Sequence, residues 1–140
     1  MAETLVGAAG PKFAIGPVNR TDFVRYAGAS NDFNPLHHDD DYARSAGYPS
    51  VFAHGMFSAG VLASYLVRWF GPESVRRFQV AFREQVWPGD TLAARGRVIR
   101  IYDHEDERRA VVELTLVRQT GDVCVSGEAE VDIGLPPDGR

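Results

Sequence analysis

The sequence has few features that would serve export, covalent cross-linking or membrane insertion. It contains a single cysteine, Cys124, so an internal disulfide cannot form. The first residues lack the charged start and apolar block of a signal peptide. The longest apolar stretch, residues 51–67, is interrupted by polar and small residues and is shorter than the ~20 residues that span a bilayer. We therefore expect a cytoplasmic protein with no membrane association.

Lysine is also scarce, and nearly all of the positive charge is arginine. Lys12 is the only lysine, and the formal net charge is −4 at pH 7. A nucleic-acid-binding protein needs a basic face or stripe, so we expect no nucleic-acid partner. Arginine suits bidentate phosphate contacts, so a few local arginines can still hold an anionic ligand. Genome base composition produces the same bias, and we favour that explanation.

The composition is that of an ordinary folded protein. Hydrophobic residues make up 44% of the chain and charged residues 24%, which argues against disorder and against fibrous structure. A chain of 140 residues fits one domain, and we predict that residues 1–140 form it.

The first half of the sequence predicts a short strand and three helices. Residues 13–18 form the strand, and a helix follows over residues 22–27 with Thr21 or Asn19 as its N-cap. Residues 30–39 lack an apolar period and form an ordered loop. Three aspartates then precede a short helix at residues 42–46, and a longer, mostly buried helix runs from Gly55 to about Trp69.

The second half predicts antiparallel strands. Apolar residues alternate at Phe78, Val80 and Phe82, and further strands are predicted at residues 91–101, 109–119 and 122–133, with a turn at Thr120-Gly121. The last strand has the clearest alternation, with one buried and one wet face. The predicted buried face carries Val123, Val125, Gly127, Ala129, Val131 and Ile133, and the wet face carries Cys124, Ser126, Glu128, Glu130 and Asp132. Helices followed by such strands indicate an α+β fold.

Two segments carry residues suited to chemistry. Asp32 and His37 lie five positions apart on a loop stiffened by Pro35. A carboxylate and an imidazole so placed can hold one water and move its protons. Alternatively, Asp32 caps a turn and His37 is a satisfied loop histidine, which the spacing alone favours.

The second segment is Ala53-His54-Gly55-Met56, at the start of the buried helix. Free N–H groups at a helix start, with glycine allowing close approach, can stabilise negative charge on a carbonyl oxygen. Alternatively, Gly55 only allows the helix and the sheet to pack tightly.

Together the two segments resemble the MaoC-like, or R-specific, enoyl-thioester hydratases. The resemblance rests on Asp32-x-Asn34-Pro35-x-His37, on Ala53-His54-Gly55-Met56, and on Val86-Trp87-Pro88-Gly89-Asp90. It implies a hot-dog fold, in which a curved antiparallel sheet wraps around a long central helix. It also implies that Asp32 and His37 activate the water and that Gly55 polarises the thioester carbonyl. Asn34 supports the loop, and His54 is grouped with Gly55 and Asn34 as substrate-binding.

Two positions depart from the family pattern. Members commonly have glycine where Asn31 stands, and if this position needs a positive φ, asparagine is the best-tolerated replacement. Some members have a serine near Ala63, whereas Ser64 here is one position away.

By the same resemblance, we expect reversible hydration of trans-2-enoyl thioesters to (R)-3-hydroxyacyl thioesters, in a homodimer or a heterodimer with a similar chain. No metal or redox cofactor is expected, and coenzyme A or acyl carrier protein serves as the substrate carrier. The alternatives are a dehydratase of acyl-carrier-protein thioesters, a hot-dog thioesterase, and a non-catalytic partner subunit.

Two further clusters receive a structural interpretation. His37 and His38 stand beside the three aspartates at 39–41, but consecutive residues cannot all converge on one ion, and helix capping explains the aspartates. Tyr65, Trp69 and Phe70 are assigned to the core rather than to an acyl pocket.

Overall fold

The computed structural model describes residues 4–136. Along the chain it has β1 (Phe13–Ile15), α1 (Arg20–Ser30), a 3₁₀ turn (Pro35–His37), α2 (Asp40–Ser45), α3 (Gly55–Phe70), β2 (Val75–Phe82), β3 (Leu92–His104), β4 (Glu107–Arg118) and β5 (Val123–Asp132). No helix within these residues has the length and apolarity needed to cross a bilayer.

The five strands form one antiparallel sheet in the order β1-β3-β4-β5-β2, with β1 and β2 at its edges. Helix α3 packs against the inner face of this sheet and is the central helix of a hot-dog fold. The predicted α+β architecture is confirmed.

The core lies between α3 and the inner face of the sheet. Leu62, Tyr65 and Leu66 of α3 are almost fully buried there. Gly96 of β3 allows the close approach of the helix, since a Cβ at this position would lie 2.7 Å from the Trp69 ring. Tyr65 and Trp69 therefore pack as core residues at the C-terminal part of α3, away from Gly55 at its start.

Helix α1 is longer than predicted at both ends. Asn19 is its N-cap, and the Asn19 and Asp22 side chains each accept a hydrogen bond from the other residue's backbone N–H. The helix continues through Gly28, because one exposed glycine costs only about 1 kcal/mol relative to alanine. It ends at Asn31, which has a φ of 60° and takes the left-handed position that glycine usually fills.

Strands β3 and β4 also extend further than predicted, to a pair formed by His104 and Glu107. The sequence at this end is charged and shows no apolar alternation. Side-chain ion pairs stabilise it instead: Glu107 accepts hydrogen bonds from Arg76 and Arg109, which lower the pKa of the Glu107 carboxyl to about 2.

The prediction that Cys124 lies on the wet face of β5 is wrong. Leu116 of β4 pairs with Val125 and Val117 pairs with Val123, so the register shifts around Cys124 and leaves it as the extra residue of a bulge. The bulge turns the thiol inward, where Cys124 is fully buried. Period-two alternation holds only where the ladder is regular, which explains the error.

Candidate functional site

The loop after α1 is shaped by short side-chain contacts to its own backbone. The Ser30 hydroxyl accepts a hydrogen bond from the Asp32 N–H at 3.3 Å, and Asp32 Oδ1 accepts one from the Asn34 N–H at 3.3 Å. Asn34 Oδ1 in turn caps the 3₁₀ turn by accepting from the Leu36 N–H at 3.0 Å. Together with the left-handed Asn31, these contacts set the backbone that carries Asp32 and His37.

Asp32 and His37 face each other in this loop. Asp32 Oδ2 lies 4.0 Å from His37 Nε2. That is too long for a direct hydrogen bond, but one water can hydrogen-bond to both atoms. The Asp32 side chain is 53% exposed, whereas His37 is buried. The pair is therefore open to solvent on the aspartate side only.

The other ring nitrogen of His37 fixes its tautomer. Nδ1 lies 2.7 Å from the carbonyl oxygen of Phe52, which can only accept a hydrogen bond. Nδ1 must therefore carry the proton, and in the neutral ring Nε2 presents a lone pair toward Asp32. Burial lowers the pKa of His37, and the neighbouring His54 lowers it further, against the opposing effects of the Phe52 carbonyl and Asp32.

His54 lies against His37. The two imidazoles stack with centroids 3.7 Å apart and planes 24° from parallel, and His54 is 2% exposed. His54 Nε2 lies 2.9 Å from the main-chain carbonyl oxygen of Asp32, to which it donates. Its Nδ1 is buried with no hydrogen-bond partner among the described residues, and Tyr26 of α1 packs nearby with ring centroids 4.9 Å apart. Contact between this ring and a substrate stays a prediction.

Gly55 begins α3 and is exposed. His54 is the N-cap and supplies no side-chain cap, and within residues 4–136 no acceptor takes up the backbone N–H of Gly55 or Met56. Free N–H donors and the positive end of the helix dipole thus meet at one accessible point. His54 connects the three predicted site residues. It donates a hydrogen bond to the Asp32 carbonyl, stacks on the His37 ring and directly precedes Gly55.

A cavity of about 250 Å³ adjoins this helix start. Its lining includes Gly55, Ser58, Phe82 and Cys124. The Phe82 ring stands over the helix start, because a Cβ on Gly55 would lie 3.2 Å from two of its atoms. Sequence reasoning did not place Ser58, Phe82 or Phe52 at the site. Phe82 comes from a distant strand and Phe52 contributes a main-chain carbonyl, so neither leaves a local motif in the sequence. Ser64 is on the exposed face of α3.

Comparison with known proteins gives this geometry a context. A family model described as a MaoC like domain matches residues 9–120, which is most of the chain. This chain belongs to the MaoC-like domain family. An (R)-specific enoyl-CoA hydratase of Rhodospirillum rubrum is 34% identical to it over 116 residues, covering 81% of this chain and 78% of the relative.

Solved structures agree on the fold. The (R)-hydratase from Aeromonas caviae superimposes on this MaoC-like chain with a TM-score of 0.80 and 27% identity, covering 96% of this chain and all of the other. The ChsH1-ChsH2 complex from Mycobacterium tuberculosis has a TM-score of 0.81 at 24% identity, with 93% of this chain and 98% of the other covered.

Three side chains of the site could each offer a ligand to a metal ion. One ligand atom each from Asp32, His37 and His54 lie within 4.8 Å of one another. However, the lone pairs of two nearly parallel stacked rings lie in two separate planes, whereas one ion about 2.0 to 2.1 Å from each nitrogen has to lie close to both planes. Main-chain oxygens engage His37 Nδ1 and His54 Nε2, which leaves His37 Nε2 and His54 Nδ1 as the free ring nitrogens. That this site works without a metal stays a prediction.

Proposed function

We propose that this protein reversibly hydrates trans-2-enoyl thioesters to (R)-3-hydroxyacyl thioesters. The coarser part, an enzyme of the enoyl-CoA hydratase and dehydratase class, follows from the family and from its (R)-specific hydratase relatives. The specific reaction and the roles of the residues are supported by one observation. Asp32 Oδ2 and His37 Nε2 lie 4.0 Å apart, on a loop that packs against the uncapped helix start at Gly55.

In this mechanism a water bound between Asp32 and His37 attacks C3 of the enoyl group. The lone pair on His37 Nε2 and the Asp32 carboxylate take up its proton as the C–O bond forms. The electron pair of the double bond moves toward the thioester oxygen, where the backbone N–H of Gly55 stabilises the negative charge. The same pair then returns a proton to C2, so the hydroxyl group at C3 and the proton at C2 add to the same face of the double bond.

The thioester carrier is coenzyme A or acyl carrier protein, and we propose that no metal or redox cofactor takes part. Water addition needs a proton acceptor and a proton donor but no electron transfer, and the Asp32/His37 pair supplies both. The reverse reaction, dehydration of a 3-hydroxyacyl thioester, uses the same groups.

The test is an assay of the purified protein with crotonyl-CoA, with longer enoyl-CoAs and with a matching acyl-carrier-protein thioester. We expect loss of the enoyl absorbance and formation of the (R) alcohol. A product of (S) configuration would contradict the proposal, as would release of free thiol without hydration, which would indicate a thioesterase.

We also propose that the protein acts as a homodimer or as a heterodimer with a similar chain. Phe33, Met56 and Phe82 surround the site and are exposed by 59%, 59% and 54%. Strand β2 is an edge strand, and within the described residues its outer side is unpaired. A partner subunit would cover both features.

Light scattering at micromolar concentration tests this assembly. We expect a dimer that Phe82→Ser weakens. The matched control is Leu135→Ser, which replaces a side chain of similar exposure, 58%, just beyond the opposite end of the sheet. A fully active monomer would rule out the proposal.

A further inference from the structure

His54 is buried beside Asp32 and His37, the two groups of the proposed mechanism. Its contacts account for one ring nitrogen and one ring face but not for the second nitrogen. One ring nitrogen donates to the Asp32 carbonyl at 2.9 Å, and one face stacks on His37 at 3.7 Å. The other nitrogen, Nδ1, is a buried acceptor with no partner in the part of the chain that the structure describes. A buried unsatisfied nitrogen costs about 1–3 kcal/mol, so the fold itself gives no reason for a nitrogen at that edge of the ring.

We propose that His54 is a positioning residue that acts through Asp32 and His37 together. Its Nε2–H holds the main chain that carries the Asp32 carboxylate, while its ring face holds the plane of His37. Both constraints bear on one distance, that between Asp32 Oδ2 and His37 Nε2. This inference deepens the hydratase proposal and rests on it.

The stack also acts electrostatically. With the ring centroids 3.7 Å apart, His54 disfavours a positive charge on His37 and so helps to keep His37 in the neutral form that can accept a proton. The other titratable groups acting on His37 are Asp32, which favours the charged form, and the exposed His38, which opposes it. Tyr26 faces His54 from α1. Removing the His54 imidazole is therefore expected to raise the pKa of His37.

Two substitutions separate the two contacts. His54→Phe keeps a stacking ring and removes the donor to Asp32, and the unpartnered Nδ1 edge makes an apolar ring acceptable there. His54→Gln keeps a donor and removes the stack. The control is His104→Gln, which removes an exposed histidine near the end of β3, outside the site.

We expect both His54 variants to fold and to lose kcat on the order of 100-fold, because misplacing a catalytic group by about 1 Å can cost that much. The acid limb of kcat/KM should move to higher pH in both, and His104→Gln should match the wild type. A fall in kcat with an unmoved acid limb would mean a purely structural role and would overturn the proposal. Wild-type kcat with a shifted limb would overturn it too.

Histidine ¹⁵N NMR of the wild-type protein provides a test independent of activity and of variant folding. We expect His37 as the Nδ1–H tautomer and His54 as the Nε2–H tautomer. The opposite tautomer at either ring would overturn the inference. If the protein hydrates no enoyl thioester but the tautomers are as expected, the hydratase proposal fails while the hydrogen-bonded stack stands.

Discussion

The Nδ1–H of His37 donates a 2.7 Å hydrogen bond to the carbonyl oxygen of Phe52. A single main-chain contact thus decides which nitrogen of the proposed catalytic histidine is free. In the other neutral tautomer the lone pair on Nδ1 would face the Phe52 carbonyl oxygen, and the two would repel each other. The neutral ring therefore keeps its proton on Nδ1 and presents the lone pair of Nε2 toward Asp32 Oδ2 at 4.0 Å.

The first prediction concerns this pair. Asp32→Asn and His37→Ala should each lower kcat by about 10²–10⁴-fold without unfolding the protein, the range typical of a general acid or base. Because both groups act on one water, the double variant should lose far less than the product of the single losses. The comparison is made by steady-state kinetics with enoyl-CoA.

The exposed neighbour His38 is the control, and His38→Ala should retain most of the activity. Full activity in either single variant would remove that residue from the mechanism. Multiplicative losses in the double variant would mean that the two groups act on separate steps.

The second prediction is a pH dependence with a defined sign. Burial lowers the pKa of His37 below 6.5, so the proton-accepting form persists as pH falls through 6.5, and kcat/KM declines only at lower pH. Asp32 favours the charged ring, so the residual activity of Asp32→Asn should show an acid limb at still lower pH. The limb moves in the opposite direction from that of the His54 variants, and an unmoved limb in Asp32→Asn would count against the electrostatic coupling.

The same shift affects stability. The unfolded chain takes up a proton at His37 near pH 6.5, whereas the folded chain does so only at lower pH. The folded state should therefore lose stability as pH falls below 6.5, until the folded-state pKa is passed. Replacing His37 by alanine should flatten this part of a plot of unfolding free energy against pH.

The third prediction is that metal removal has no effect. Dialysis against a strong chelator should leave kcat with crotonyl-CoA unchanged, because the stacked rings of His37 and His54 do not converge on an ion. Loss of activity that returns on adding one divalent metal would contradict both the prediction and the water-based mechanism.

The fourth prediction concerns the turn that joins β3 to the segment before it. Asp90 is 3% exposed and accepts hydrogen bonds from the Trp87 N–H, Arg118 and Gln119. Burial alone would raise the pKa of this carboxyl, but these partners outweigh it and hold the pKa below its ordinary value. The stability it contributes is present above the ordinary pKa and is lost as pH falls through the folded-state pKa.

Asp90→Asn should therefore lower the free energy of unfolding by about 3 kcal/mol, since it leaves Arg118 buried without its main partner. The control is Asp122→Asn, which removes the weaker, half-exposed partner of the same arginine and should cost little. Urea unfolding measures both. Equal losses of unfolding free energy in the two variants would show that the burial of Asp90 does not set the strength of its ion pair with Arg118.

These results also show what the sequence could predict. Helix α3 and its end at Gly71 were predictable, because an apolar run between two glycines leaves few alternatives. The resemblance singled out Asp32, His37 and Gly55; the structure places Asp32 and His37 4.0 Å apart and stacks His54, which precedes Gly55, on His37. Asparagine was expected to be tolerated at position 31 if that position needed a positive φ, and Asn31 has a φ of 60°. These features depend on local residue chemistry.

What could not be predicted depends on tertiary contact. The inward turn of Cys124 arises from a bulge between two strands, which changes the face of one residue without altering the composition of the strand. The Phe52 carbonyl is a backbone atom that any residue would offer. Phe82 is separated from Gly55 by a helix and most of a strand, so only the sheet order shows that they meet.

The last prediction tests the helix start at Gly55, with a second glycine of the same helix as its control. The three atoms nearest to a Cβ at Gly55 would all belong to the Phe82 ring, which is 54% exposed and able to move, whereas a Cβ at Gly60 would meet nothing within 4 Å. Gly60→Ala should therefore stabilise the protein by about 0.5–1 kcal/mol through helix propensity and leave kcat unchanged.

Gly55→Val should fold and assemble, but its side chain fills the space through which a thioester oxygen reaches the free N–H. Loss of one such donor typically lowers kcat by about 10²–10³-fold, and we expect at least ~100-fold here with enoyl-CoA. If Gly55→Val retains wild-type kcat and KM, the glycine serves only the packing of α3 beneath Phe82, and charge on the thioester oxygen is stabilised by another group.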